Sequence, residues 1–187
     1  MSGQPRVTIV PINEEEHAKV LFEWRKSPEI SRFMYTRDPI VWDSHIAWIR
    51  SLPQNQSRKD CVILLDGVPA GTVNLTEIDN THRRCSFGMY VALPLARVQG
   101  VGAAAEVLVL ELAFDDLKMH KVSCEVFASN PAPVAMHQRM GFKIEGTFRD
   151  HVFDDGDWID VVRMSVLENE WASKAAMMRG LLSRLIG

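Results

Sequence analysis

The sequence predicts an α/β chain of the α+β kind, a single domain built on a mixed, mostly antiparallel sheet flanked by helices. Three observations carry this. Between residues 61 and 93 the apolar pattern shortens to β-branched stretches, CVILLD, GVPAGTVNLTEID and CSFGMYVAL. They are separated by turn residues at Asp66-Gly67 and Asn80-Thr81, the pattern of an antiparallel meander. Segments with helical spacing lie on both sides of it. The 187 residues contain no repeat, linker or low-complexity tract, which suits one compact domain with its own core.

In chain order, RVTIVPI (6–12) is a first strand. Asn13 followed by Glu14, Glu15 and Glu16 starts a helix running to about Arg25, because acidic side chains favour the positive N-terminal end of a helix. Ser27-Pro28 opens a shorter helix or turn, and the loop MYTRDPI leads to a helix from His45 to about Leu52. Its apolar face is Ile46, Trp48, Ile49 and Leu52. After the meander, LPLARVQGVGAAAEVLVLELAFDDLKMH reads as a loop feeding a long, largely buried helix. KVSCEVFAS is a strand, and Asn130-Pro131 turns into a helix that Gly141 stops after Met140. Two strands, GFKIEGTFRDHVF and GDWIDVVRMSVL, meet at Asp154-Asp155-Gly156. A terminal helix, from about 169 to 186, sets Trp171, Ala175, Met178, Leu182 and Leu185 on one side. Packing on the domain or on a second subunit is the first reading of that face, and an interfacial helix on a membrane the second.

Composition excludes several classes. Lys and Arg number 21 against 24 Asp and Glu, a formal charge of −3, and no long basic run could neutralise phosphates, so nucleic acid is not an expected partner. Apolar residues make up 47%, too many for a disordered chain, and no apolar run approaches the ~18 residues of a membrane span. The first residues lack the basic and apolar regions of an export signal, so the expected location is cytoplasmic. Cys61, Cys85 and Cys124 are odd in number and lie in strand-like stretches, so buried free thiols are expected. No His/Cys cluster has metal-ligand spacing.

The most specific local signal is Arg97-Val98-Gln99-Gly100-Val101-Gly102, between a strand and a long helix. Glycines there let the backbone approach a ligand, and the free N–H groups of the first helical turn present a positive dipole end to phosphate. The pattern is neither a Walker A loop nor a full G-x-G-x-x-G fingerprint, since position 105 is alanine. About thirty residues later come Asn130, then Met136-His137, then Gly141-Phe142. Together these resemble the GCN5-related N-acetyltransferases (GNAT), whose Q/R-x-x-G-x-G/A motif binds the acetyl-CoA pyrophosphate and whose next strand-helix unit carries N-x6-Y and a Gly-Phe pair. The resemblance implies a GNAT fold, its sheet splayed at an acetyl-CoA cleft between the strand ending at Val91 and the strand 121–128. It assigns acetyl-CoA to Met89, Tyr90 and Val91, to the loop from Arg97 to Gly102 with Ala103, and to Asn130.

Within that superfamily the chain is similar to the sugar-nucleotide N-acetyltransferases of pseudaminic-acid biosynthesis. The matching residues include Glu23-Trp24-Arg25, Met34-Tyr35, His45, Gly71, Thr76, Gly88-Met89-Tyr90, Glu125, Asn130, Phe153 and Trp158-Ile159-Asp160-Val161. This implies acetylation of the 4-amino group of a UDP-linked 4-amino-4,6-dideoxy-acetamido sugar. Ile159-Asp160 and Glu170-Trp171 also look like the ribosomal-protein N-acetyltransferases. A non-catalytic acyl-CoA-binding module is the alternative from another class, and a homodimer is compatible with each.

Acetyl transfer requires an unprotonated amine, a donor for the developing oxyanion and a proton for the leaving thiolate. A backbone N–H in Met89–Val91 is the candidate oxyanion donor. Glu125, the only acid of KVSCEVFAS, is the candidate base. At the family's tyrosine position stands His137, which as a neutral imidazole still has one N–H to give the thiolate and could equally act as base. For the sugar nucleotide, Arg25 suits a diphosphate and His45 could support it, while Asn74 and Thr76 share one strand face and could bond the substrate. Tyr35 and Tyr90 offer flat surfaces; Trp48, at core spacing, is read as packing. Transfer is expected to be direct, with Cys124 as the control because it adjoins Glu125.

Overall fold

Strands and helices follow one another in the order that the hydrophobic periods predict. The computed structural model describes residues 6–32, 34–36, 38–94, 96 and 100–186. Strand β1 (Val7–Pro11) runs into α1 (Glu14–Lys26), where Asn13 is the N-cap and its Oδ1 accepts the Glu16 N–H at 3.2 Å. Three glutamates fill the first turn of α1 and Arg25 and Lys26 the last, complementing the helix dipole at both ends. Helix α2 (Pro28–Ser31) is short, with proline at its start. Helix α3 (Trp42–Ser51) begins three residues before the predicted His45. Tertiary packing accounts for the extension: the Trp42 ring meets Phe22 of α1 edge-on at 5.0 Å.

The meander is β2 (Lys59–Leu65), β3 (Val68–Asp79) and β4 (Arg84–Val91). Helix α4 (Val101–Glu111) ends in a π turn, Leu112–Asp116, and β5 (Lys121–Phe127) leads to α5 (Pro131–Met140). The long strands β6 (Lys143–Asp154) and β7 (Asp157–Leu167) form a hairpin, followed by α6 (Glu168–Leu181) and α7 (Ser183–Ile186). The terminal segment is therefore two helices where one was expected. The helix breaks at Leu182, whose φ and ψ of −103° and 8° are not helical, two residues past the poor helix former Gly180.

Among the described residues seven strands make one sheet, in the order β1-β2-β3-β4-β5-β7-β6. All neighbours are antiparallel except β4 and β5, which are parallel and reached by the α4 crossover. Val107, Leu110, Phe114 and Met119 pack with sheet residues such as Val73, Leu75, Val122 and Met164 in one core. Trp171 and Met178 of α6 belong to that core, with Ala175, Leu182 and Leu185 against it, so the apolar face of the tail packs on the chain itself. All three cysteines are buried and free. Among the described residues no helix is long and apolar enough to cross a membrane.

Candidate active site

The parallel pair β4–β5 is registered over only three positions, Arg84 with Lys121, Cys85 with Val122 and Ser86 with Ser123. Beyond them β4 stays paired with β3 as far as Val91 with Gly71, while β5 stays paired with β7 as far as Phe127 with Val161. The sheet thus divides at Phe87 on one arm and Cys124 on the other. Gly71 allows the β3 side of this arrangement: a Cβ there would lie 2.2 Å from the Tyr90 carbonyl oxygen, so no larger residue fits the close approach of β3 to β4.

A cleft of about 810 Å³ opens at the division, lined by residues of α1, the loop after α2, α3, β2, β3 and both splayed arms. Glu125 is in it, from β5. Its Oε1 accepts from Arg163 Nη1 of β7 at 2.6 Å, and its Oε2 accepts the Tyr35 hydroxyl. Arg163 also donates from Nη2 to Ser123 Oγ at 2.7 Å, so β5 and β7 fix the guanidinium at two points. Desolvation, and then the carboxylate of Glu125, push the Tyr35 hydroxyl above the ordinary phenol range and keep it a proton donor. Arg163, and Tyr35 as a partner of Glu125, were not anticipated; the first lies 38 residues and the second 90 from the acid they bond.

The predicted acceptor residues divide into two groups. Arg25, Asn74, Thr76 and Tyr90 all line the cleft. Arg25 Nη1 donates to the Met34 sulfur at 2.8 Å and Nη2 to the Thr36 carbonyl at 3.3 Å, contacts that bring no negative charge to the guanidinium. Tyr90 is hydrogen-bonded to Thr72, and burial pushes its hydroxyl up to about 12, with Thr72 and the Arg25 charge opposing. His45 borders the cleft but is buried among Phe22, Trp42 and Trp48, and its Nε2 is 2.9 Å from the Ala18 carbonyl, so that nitrogen is committed to holding α3 against α1. Trp48, read as packing, also lines the cleft, with the Arg58 guanidinium 5.8 Å over its ring. Helical spacing gives the face of a residue and cannot say that the facing layer stops short of it.

His137 lies behind the cleft wall. It is 4% exposed, its ring 5.4 Å from Phe87 and 5.4 Å from Phe142, and its Nδ1 is 2.7 Å from Oε1 of the wholly buried Glu106. Cys124 lines the cleft, but burial foremost, then Glu106, raise its thiol far above the ordinary range, which leaves no thiolate for an acyl relay.

At the other end of the splay, Gly100 is in the left-handed region, with φ 78°, as N-cap of α4. Gly102 faces Met89, Val91 and Met136: a Cβ there would meet their side chains at 3.4 Å, 3.5 Å and 3.8 Å. The first turn of α4, Val101 to Ala103, so presents its backbone N–H groups beside β4 with little side chain in between, which suits a pyrophosphate. Asn130 caps α5 without a side-chain bond to the helix, while its N–H donates to the Phe127 carbonyl at 2.8 Å. Arg97, Val98 and Gln99 lie outside the described residues.

Comparison with known proteins decides what this arrangement is. Residues 6–143 match the model of the acetyltransferase (GNAT) domain family. The chain belongs to that family. A spermidine N(1)-acetyltransferase of Escherichia coli (strain K12) is 26% identical over 160 residues, 86% of this chain and 80% of the relative. The acetyltransferase PseH of Campylobacter jejuni (strain NCTC 11168) is 30% identical over 142 residues, 76% of this chain and 86% of the relative. Among solved structures, the spermidine N-acetyltransferase of Vibrio cholerae in complex with CoA and spermine superposes with a TM-score of 0.83. It is 21% identical, and the match covers 89% of this chain and 98% of that one. The GNAT chain described here is accordingly an acetyl-CoA-dependent N-acetyltransferase.

Proposed function

We propose that this acetyltransferase acts on the 4-amino group of a UDP-linked amino-dideoxy sugar. The observation that carries the reading is Arg25, a cleft guanidinium whose described bonds go to a thioether and a carbonyl and to no carboxylate. A cation held in place without its charge neutralised is a site for an anion, and a guanidinium suits a diphosphate in particular. The likeness to PseH supports the same reading.

The other charges of the cleft agree with an acceptor that has one amine and an anionic tail. Arg163 pairs with Glu125 and Arg58 with Asp60, while Glu77 accepts the Ser86 hydroxyl at 2.6 Å. Among the described residues of the cleft, three arginines against three acids leave no surplus of negative charge to attract a polyamine. In this assignment Tyr35, Tyr90, Asn74 and Thr76 orient the acceptor and Glu125 takes the amine proton as the nitrogen attacks. The N–H groups of Met89–Val91 stabilise the developing oxyanion, while His137, the expected donor to the thiolate, sits behind Phe87 outside the cleft lining. The first turn of α4 and Asn130 hold the CoA phosphates and pantetheine arm.

The relatives named for spermidine support a second reading, polyamine acetylation, with Glu125, Glu77 and Asp60 as ammonium partners. Calorimetric binding separates the two. Arg25→Ala should weaken binding of a UDP-4-amino sugar by about 10-fold or more, the loss of one charge-assisted contact, and leave acetyl-CoA binding within about twofold. Tighter spermidine binding in the variant, with no measurable sugar-nucleotide binding to the native chain, would establish the polyamine reading instead.

A further inference from the structure

Past Ser86 and Ser123 the β4–β5 ladder ends, so the two sides of the reaction stand on separate arms. Strand β4 continues on β3 to Val91 and carries the backbone N–H groups assigned to the oxyanion. Glu125 stands two residues beyond the division on β5, whose ladder continues with β7. A base on a diverging arm keeps a fixed distance from the acyl carbon when the arms are tied together.

A chain of hydrogen bonds makes that tie. Ser123 Oγ, buried at the last paired position of β5, donates to the Cys85 carbonyl of β4 at 3.2 Å and accepts from Arg163 Nη2 at 2.7 Å. Arg163 Nη1 donates to Glu125 Oε1 at 2.6 Å. Arg163 is the register partner of Glu125 across β5–β7, and Ser123 lies on the same face of β5 two residues back, so one planar fork spans both. A cross-strand ion pair is complete with the first of these bonds. The second goes to a neutral hydroxyl, adds no charge pairing and fixes where the guanidinium lies. Glu125 and Arg163 both line the cleft.

The geometry points to Arg163 as a positioning residue for acetyl transfer, acting through Glu125 with Ser123 as its anchor to β4: the fork holds Oε1 and leaves Oε2, which the Tyr35 hydroxyl covers, for the acceptor amine. This role rests on the reading of Glu125 as the base and holds for any amine acceptor. A glutamate turns about three side-chain bonds, and a carboxylate displaced by about 1 Å from its productive place slows the reaction about 10²-fold without loss of binding. Arg163→Lys would keep the charge but offer a point contact in place of the fork, so charge and positioning predict different outcomes.

The test is a double-mutant cycle on kcat, following CoA release with a UDP-4-amino sugar and with spermidine as alternative acceptors. Ser123→Ala removes the anchor and no charge; it should lower kcat about 10-fold while the KM for acetyl-CoA stays within about twofold. Arg163→Met and Arg163→Lys should each lower kcat about 10²-fold, because neither supplies the fork. In a Glu125→Gln background Ser123→Ala should change kcat by less than about twofold, since both act on one group. The same loss in both backgrounds, or full activity in Ser123→Ala, would overturn the proposal and leave the base in place. Full activity in Arg163→Lys would show that charge alone suffices and overturn it equally. Full activity in Glu125→Gln would instead remove the base, and this role with it. Melting temperatures identify any Arg163 variant that fails to fold, and Ser123→Ala, the loss of one buried oxygen, then decides the matter by itself.

Discussion

Both carboxylate oxygens of Glu125 are engaged, one by the fixed guanidinium of Arg163 and the other by the Tyr35 hydroxyl. Arg163 comes from the sheet, whereas Tyr35 lies in the loop after α2, so with Glu125 as the proposed base the bond an incoming amine would displace is the Tyr35 bond. Glu125→Gln should therefore lower kcat by about 10²–10³ with acetyl-CoA binding unchanged, as measured by steady-state CoA release and calorimetry. Cys124→Ala should keep kcat within a few-fold, since a thiol held protonated by burial cannot carry the acetyl group; a loss comparable to that of Glu125→Gln would point to an acyl-enzyme. At this scale the sequence was legible wherever a residue type is rare in its setting, as with the only acid of β5. Long-range partners leave no local pattern, and so Arg163 became visible only in the fold.

Helix α1 shows how much of an element is local. Its cap, its acidic first turn and its basic last turn all stand in consecutive residues, and the predicted boundaries agree with the observed ones to within one or two positions. The same helix carries a proton-linked contact: His17 is buried and its Nδ1 accepts the Asn13 N–H at 2.9 Å. Burial holds this imidazole below the usual histidine value, with Glu16 opposing. The unfolded chain thus binds the proton more readily than the folded one, so this contribution is complete above about pH 6.5 and is lost as pH falls through the lowered value. Melting temperatures between pH 7.5 and 5 should fall less steeply for His17→Leu than for the native chain; parallel curves would show that His17 carries no linkage. In the sheet, Gly71→Ala should cost about 3 kcal/mol in denaturant unfolding, because the added methyl would meet a backbone carbonyl that cannot turn aside. The start of α3 and the break at Leu182 were not legible, since a ring contact with another helix decides the first and tertiary packing competes with propensity at the second.

For the molecule as a whole, the order of elements was readable but the feature that makes the site was not. Apolar periods predict β4, α4 and β5 in sequence, and right-handed crossover rules make the two strands parallel neighbours. Nothing in either strand states that pairing stops after three residues; only the family resemblance implied the splay, and the register places it past Ser86 and Ser123. The tail belongs to the same core, so Trp171→Ala should destabilise the chain by about 3–5 kcal/mol in one cooperative unfolding transition. A net charge of −3 is compatible with two polyanionic ligands, because helix-terminal N–H groups and single placed arginines bind phosphate without a basic surface. The most direct measurement of the central claim offers the native chain acetyl-CoA together with a UDP-4-amino-4,6-dideoxy sugar, spermidine or an N-terminal peptide, and follows CoA release and acetylated mass. The account predicts acetylation of the sugar nucleotide at a kcat/KM at least about 10-fold above the others, the scale of one charge-assisted contact. Acetylation of spermidine or the peptide with none of the sugar would contradict it.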